Sequence, residues 1–293
     1  MTKPPRTRWG KIVRKWLVSR YRLGRLVARF GLRPLDGNPL AAVKRSDTLF
    51  VLGSGDSIND LRPDEWAQIA AADSVGFNNW YLHDFVPSAF VTEPGSDRSQ
   101  LALEYASIAR RYRDTSTLIL LKDLERYRPG EMAAVVQAMP ADLRPRLALS
   151  WDWEPGEENP ERFAALLARL DRLGVMVRPY FPVMRKRATV FFLVMLALRA
   201  GYRRIVLCGI DLNGSDYFYE RHRGRLEAQG LWLPPRRAPL AVHRTEDPDY
   251  GSLTVSRALG GLEAQLLRPR GIALEVALQS SRLYPALPCC FGR

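Results

Sequence analysis

The chain has 293 residues, 46% of them hydrophobic and 26% charged, which is enough to bury the core of one large α/β domain with additions and too apolar for a disordered chain. Its formal net charge is +13, but residues 1–35 hold eleven Lys or Arg and no acid, which leaves only +2 for the other 258 residues. The body is therefore not a basic nucleic-acid binder throughout, and the longest apolar run, Val190–Leu198, falls far short of the roughly 20 residues that span a bilayer.

The N-terminal arm, residues 1–45, has a helical pattern. Trp9, Ile12, Val13, Trp16, Leu17, Tyr21, Val27 and Phe30 recur at three- and four-residue spacing, with Arg and Lys on the other face. A basic amphipathic helix with tryptophans fits an anionic membrane surface, contacted through residues 1–35. The same pattern also suits a helix packed on the protein's own body. A nucleic-acid-binding arm lacks any recognisable module behind it, and an Arg-rich, acid-poor transit peptide is a further reading. A secretory signal is excluded, because no uninterrupted apolar segment follows the charges. Cys208, Cys289 and Cys290 have no metal or disulfide spacing, which favours a reducing, cytoplasmic compartment.

Residues 46–293 read as alternating strands and helices. Strand patterns fall at Leu49–Leu52, Ser74–Phe77, Ala89–Val91, Thr117–Leu121, Leu147–Ser150, Val175–Tyr180, Arg204–Cys208 and Ile272–Val276. Helical patterns fall at Ser57–Ala72, Ser99–Tyr112, Pro160–Leu173, Ala188–Ala200 and Leu253–Leu267. This alternation predicts a Rossmann-like, mostly parallel sheet covered on both faces, with ligands at the carboxyl ends of its strands. Residues 212–242 break the alternation with Gly, Pro, aromatics and charges, and are expected to form a lid.

Three segments carry candidate chemistry. In the first, the strand Leu49–Leu52 runs into Gly53-Ser54-Gly55-Asp56-Ser57, where glycines permit close approach of a phosphate or simply a sharp turn, and Asp56 or Ser57 can cap the helix behind. In the second, Arg204–Cys208 ends in Gly209-Ile210-Asp211, followed by Tyr217 and Tyr219; Asp211 can orient a ligand or tie down the loop, and the tyrosines can bind phosphate or pack the lid. The third is Val242-His243-Arg244-Thr245 at the far end of the lid, where an imidazole can accept a hydroxyl proton. His83 beside Asp84 has a structural reading, and His222 is assigned no role. The acidic clusters Asp152-Trp153-Glu154 and Glu246-Asp247-Pro248-Asp249 read as solvated loop charge.

These segments, in this order, resemble the bacterial sialyltransferase family that transfers sialic acid from CMP to lipooligosaccharide and related acceptors. The resemblance spans about Leu49 to Leu283, with specific matches confined to short motifs. Gly53, Ser54, Gly55 and Ser57 look like the family's nucleotide loop, Asn78 and Asn79 like its asparagine-plus-aromatic segment, and Arg187 with Thr189 like its donor-side pair. Asp211 and Tyr217 resemble the opening of its lid, and His243 falls where that family carries its general base. Ser54 and Asp56 replace the usual asparagine and proline, and Glu93 stands where an asparagine contacts the nucleoside. Asn213 is the nearest polar counterpart of the first phosphate-binding tyrosine.

The resemblance implies a GT-A-variant glycosyltransferase. It would transfer sialic acid, Kdo or another 2-keto acid sugar from CMP to a glycan or glycolipid, with inversion and without a metal or other cofactor. Tyr217 and His243 would be catalytic. Such an enzyme is expected on the inner face of a bacterial inner membrane; homo-oligomerisation is left open. The alternative is a non-catalytic nucleotide-sugar-binding scaffold of envelope polysaccharide assembly.

Overall fold

The computed structural model describes residues 9–35, 37–95, 97–214, 216–236 and 242–292. In chain order they form α1 (Trp9–Phe30), β1 (Thr48–Leu52), α2 (Pro63–Ala70), β2 (Asp73–Phe77), β3 (Ala89–Thr92), α3 (Arg98–Tyr112), β4 (Leu118–Leu121), α4 (Pro129–Ala138) and β5 (Leu147–Leu149). There follow β6 (Asp152–Trp153), α5 (Pro160–Arg172), β7 (Val183–Met184), α6 (Thr189–Ala200), β8 (Arg204–Cys208), α7 (Arg223–Ala228), α8 (Val255–Leu262) and β9 (Ala273–Val276).

Seven strands form one wholly parallel sheet in the order β5-β4-β3-β2-β1-β8-β9, and β6 pairs with β7 in a separate parallel pair. The apolar strands are buried on both faces, as parallel strands require. Alternate residues point to opposite sides: Leu49 and Val51 join the core with α5, α6 and α8, while Phe50 and Leu52 join the core with α1, α2, α3 and α4. Helix α6 is buried around nearly its whole circumference, which its unbroken apolar sequence permits, and Gly201 at φ 77° ends it. The chain lays β2 to β5 on one side of β1 and β8 and β9 on the other. The strand order therefore reverses between β1 and β8, the crevice where open α/β sheets collect ligands.

Several expected elements differ. The helix at 57–72 is a 3-10 turn, Asp56–Asp60, followed by α2, because Pro63 holds Arg62 in an extended conformation. The expected strand at 175–180 is turn, apart from irregular Arg178; the strand forms at β7, beyond Pro179 and Pro182, where Val183 donates to the Trp151 carbonyl at 2.8 Å. The helix at 253–267 keeps its α geometry only to Leu262 and continues as a π turn. Helix α4 lies outside the expected set.

The described part of the expected lid, 212–214 and 216–236, is packed on the body rather than open. Phe218, Tyr219, Leu226 and Leu231 are buried, the Trp232 carbonyl accepts a hydrogen bond from Tyr81 Oη at 3.1 Å, and the Trp232 amide donates to Ser107 at 2.8 Å. Residues 237–241 of that stretch lie outside the described residues.

Candidate functional site

At the β1/β8 crevice the two glycine turns are locked together. Gly53 donates to the Cys208 carbonyl at 2.8 Å and Gly55 to the Gly209 carbonyl at 2.9 Å. A Cβ on Gly53 would lie 2.6 Å from the Gly209 carbonyl oxygen, and one on Gly55 would lie 2.4 Å from an Asp211 carboxylate oxygen. The glycines thus serve the approach of one loop to another. Asp211, buried, accepts from the Ser57 amide at 3.0 Å and from the Ser57 hydroxyl. Of the two readings of Asp211, the structure supplies the loop tie. The amides of Gly53, Gly55 and Ser57 are engaged within the chain, by the 208–209 carbonyls and by Asp211, so these hydrogen bonds serve the sharp turn. The 3-10 turn behind them is capped by backbone at Gly55, not by the side chain of Asp56 or Ser57.

The next layer is aromatic. Tyr217 forms an antiparallel bridge with Gly55, and Phe218 donates to the Ser54 carbonyl at 3.0 Å. The ring of Tyr217 stacks on Tyr219 with centroids 5.3 Å apart, and Asn79 donates to Tyr219 Oη at 3.2 Å. Asn78 follows β2 with φ 55°, in the left-handed region. The Ser54 hydroxyl is buried and has no hydrogen-bond partner among the described residues, the kind of polar group that a ligand satisfies. Gly53, Ser54, Gly55, Ser57, Asn79, Asp211 and Tyr217 therefore form one connected group. The Asn213 amide turns elsewhere, donating to the Ser280 carbonyl at 3.3 Å.

A second group lies at the ends of β3, β4, β6 and β7, and it is charged. Lys122, only 3% exposed, pairs with Glu93 and with Asp123 at 3.2 Å. Thr189, at the start of α6, donates to Glu93, and Arg126 reaches the same carboxylate at 3.3 Å. Burial pushes the Glu93 carboxyl up, and Lys122 with Thr189 and Arg126 more than offsets it, holding the pKa below its ordinary value. Arg185 pairs with Asp123 at 3.0 Å and Asp152 at 3.1 Å, and Ser150 donates to Asp152 at 2.6 Å. Burial and the neighbouring Asp123 charge raise the Asp152 pKa, against the pull of Arg185.

Asp152, expected in a solvated loop, is buried because β6 pairs with β7 and Arg185 answers its charge. Glu246 is likewise buried, accepting from the Ser256 amide and hydroxyl, both at 2.7 Å, at the start of α8. Lys122, Asp123, Arg126 and Arg185 are additions to the expected site. A signal for them exists in Lys122-Asp123, which directly follow an apolar strand as Asp211 nearly does.

Arg187 (φ 63°) joins this group to the segment beyond the expected lid. Its guanidinium donates to the Leu253 carbonyl at 2.7 Å and fills the space where a Cβ on Gly251 would stand. His243 opens the 3-10 turn Arg244–Glu246, with its Nδ1 2.8 Å from the Thr245 hydroxyl and 3.3 Å from the Thr245 amide. These contacts are compatible with two tautomers. If Nδ1–H donates to the hydroxyl, Nε2 is left as a base; if Nδ1 accepts from the amide, Nε2 carries the proton. Both contacts lie within the histidine's own turn, which the Glu246 amide closes by donating to the His243 carbonyl at 2.8 Å. They tie His243 to the segment leading into α8.

The described non-glycine residues with left-handed backbone are Asn78, Asp123, Arg187 and Leu212. They follow β2, β4, β7 and β8 respectively, so the local strain of this fold collects at the carboxyl ends of its strands.

No family model and no curated protein matches the chain. Among solved structures, a monofunctional α-2,3-sialyltransferase, Cst-I, from Campylobacter jejuni is similar at 17% identity and a TM-score of 0.47, over 85% of this chain and 83% of that one.

Proposed function

We propose that the protein is a glycosyltransferase that moves a 2-keto acid sugar, of the sialic acid or Kdo type, from CMP to a glycan or glycolipid hydroxyl. One observation carries the reading. Motifs scattered from Gly53 to Asp211 in sequence meet at the carboxyl ends of the strands, at the topological switch point and beside it, where backbone strain also collects. The donor would lie over Ser54, Asn78, Asn79 and Tyr217, with Arg187 and Thr189 at the second group.

In the reaction, His243 Nε2 takes the proton of the acceptor hydroxyl as its oxygen bonds to the anomeric carbon. The bond from that carbon to the phosphate oxygen breaks with its electron pair, and CMP departs. Tyr217 and Arg187 stabilise the charge that grows on the phosphate. Direct displacement inverts the anomeric centre, and no step is assigned to a metal. The competent tautomer is Nδ1–H donating to Thr245 Oγ1, which makes Thr245 a positioning residue.

Thermal shift with CMP, CMP-sialic acid, CMP-Kdo and UDP- or GDP-sugars tests the donor. Stabilisation by CMP compounds is expected, and stabilisation by UDP-sugars without CMP overturns the reading. His243→Ala should lower transfer by ~10²–10⁴-fold while CMP binding survives. Wild-type turnover in that variant removes His243 as base, and a wild-type protein that binds CMP-sugar without transferring it is a scaffold. Thr245→Val should lower kcat and shift the imidazole ¹⁵N signature toward the Nε2–H tautomer, with Thr245→Ser restoring both.

A further inference from the structure

Helix α1 has three faces. Trp16, Ser19, Leu23 and Leu26 are buried against the body, with Trp16 edge-on to Trp153 at 5.3 Å and to Phe181 at 6.1 Å. A second row is apolar and open to solvent: Val13, Leu17 and Tyr21, four residues apart, are 43%, 63% and 68% exposed, and Gly24 and Ala28 continue the row. At 1.5 Å per residue this row runs for roughly 22 Å along the helix. The third face carries Arg14, Arg22, Arg25 and Arg29, all exposed, and α1 contains no acid.

Where the basic face meets the body there is a cavity of about 330 Å³. Val18, Met132 and Tyr127 form its walls, the Tyr127 hydroxyl being engaged with the Pro94 carbonyl at 2.7 Å, and Arg14, Lys15 and Arg22 supply three cations. The acid in its lining, Glu125, takes the hydroxyl hydrogen of Ser19.

We propose that α1 docks the protein on an anionic lipid bilayer. Its apolar row lies in the interfacial layer, its basic face meets the headgroups, and the cavity beside residues 125–132 receives one of them. The expected choice between a membrane-bound arm and a body-packed helix dissolves, because different faces of α1 do each. A helix held edgewise by its inner face presents a fixed apolar row and a fixed row of cations, the combination an interfacial helix requires. Phosphate backbones of nucleic acid would use the cations but leave Leu17 and Tyr21 in water. Two copies meeting through this surface would set arginine against arginine. The proposal does not depend on donor chemistry, so it can fail while the glycosyltransferase reading stands, and the reverse.

The test is co-sedimentation of the full chain with phosphatidylcholine vesicles, with and without phosphatidylglycerol, across a salt series. Wild-type protein should bind the anionic vesicles and release with salt. The double variant Leu17→Glu, Tyr21→Glu should bind at least roughly tenfold more weakly with its melting temperature unchanged, since both side chains are exposed. Arg14→Gln with Arg22→Gln should weaken binding to anionic vesicles by a similar factor. Equal binding to neutral and anionic vesicles, or wild-type binding by the glutamate variant, overturns the proposal. So does a wild-type protein that binds glycerophosphate or nucleic acid but no vesicle, or a glutamate variant whose only change is in oligomeric state by light scattering.

Discussion

The two groups along the carboxyl ends of the strands are built from opposite materials. Around β1 and β8 the loops are held by backbone: glycines let carbonyls approach, amides pair across the crevice, and a single carboxylate, Asp211, ties one turn to the other. Around β3, β4, β6 and β7 the chain is held by charge, with Glu93, Asp123 and Asp152 set against Lys122, Arg126 and Arg185. A backbone lock tolerates no added volume and little depends on charge balance. A charge lock tolerates changes of shape but no unanswered charge, since Lys122, Asp123 and Asp152 have been taken from water. Along the carboxyl ends of the strands, one wall is thus fixed in shape and the other in electrostatics.

Breaking the charged wall should have the largest effect. Lys122→Met keeps an unbranched apolar stem but removes the ammonium that lies over the Phe192 ring, and leaves Glu93 and Asp123 one cation short. Because Arg126 still reaches both carboxylates, the expected loss is about 3 kcal/mol, the low end for a broken buried pair. Urea unfolding measures it. Adding Glu93→Gln should recover part of that loss in a double-mutant cycle, and additive losses would show that the pair does not act as a pair.

The two walls also differ in how far they are legible from sequence. The backbone wall is written locally: Gly53, Gly55, Gly209 and Asp211 each follow a recognisable apolar strand, so their place at the carboxyl ends is readable. Their task is less so, because the loop that each glycine makes room for lies some 150 positions away in the chain. The charged wall is assembled from positions 93, 122, 123, 126, 152 and 185, and apart from Lys122-Asp123 behind an apolar strand no local pattern distinguishes these charges from solvated ones. Asp152 illustrates this, since its burial follows from a pair of two-residue strands, too short for periodicity to reveal. The parallel sheet itself is readable throughout, because strands buried on both faces are continuous apolar runs.

The backbone wall should yield next. Gly55→Ala is not a conformational change, since Gly55 sits at φ −66°, which any residue adopts. Its cost is volume, as the new methyl would stand 2.8 Å from the Gly209 carbonyl oxygen as well as against Asp211. A loss of ~1–3 kcal/mol is expected in thermal or urea unfolding, typical of overpacking. Asp211→Asn should relieve little of it, because the amide is as large as the carboxylate. A Gly55→Ala protein as stable as wild type would show that the two turns are not packed this tightly.

The smallest effect isolates what a cation does, by comparing Glu93 of the charged wall with Glu104, which contacts the preceding residue, Thr92. Glu93 is answered by Lys122 and its carboxyl titrates low. Glu104 accepts a hydrogen bond from the buried Thr92 hydroxyl at 3.0 Å, and burial, opposed only by that bond, raises its pKa from 4.5 to about 7. The folded value lies above the unfolded one, so the stability Glu104 contributes is complete below pH 4.5 and is lost as pH rises through about 7. The loss should be about 1 kcal/mol after allowing for its partial exposure. His83 works the other way: burial between Trp66 and Trp80 lowers its pKa to about 4, so its contribution is lost as pH falls from 6.5 toward that value. The difference between wild type and Glu104→Gln cancels the histidine. That difference in unfolding free energy should change steadily between pH 4.5 and 7, with the Gln variant gaining on wild type as pH rises. A flat difference would mean that Glu104 stays ionised in the folded protein, and that burial beside Thr92 is not enough to hold a proton where no cation stands.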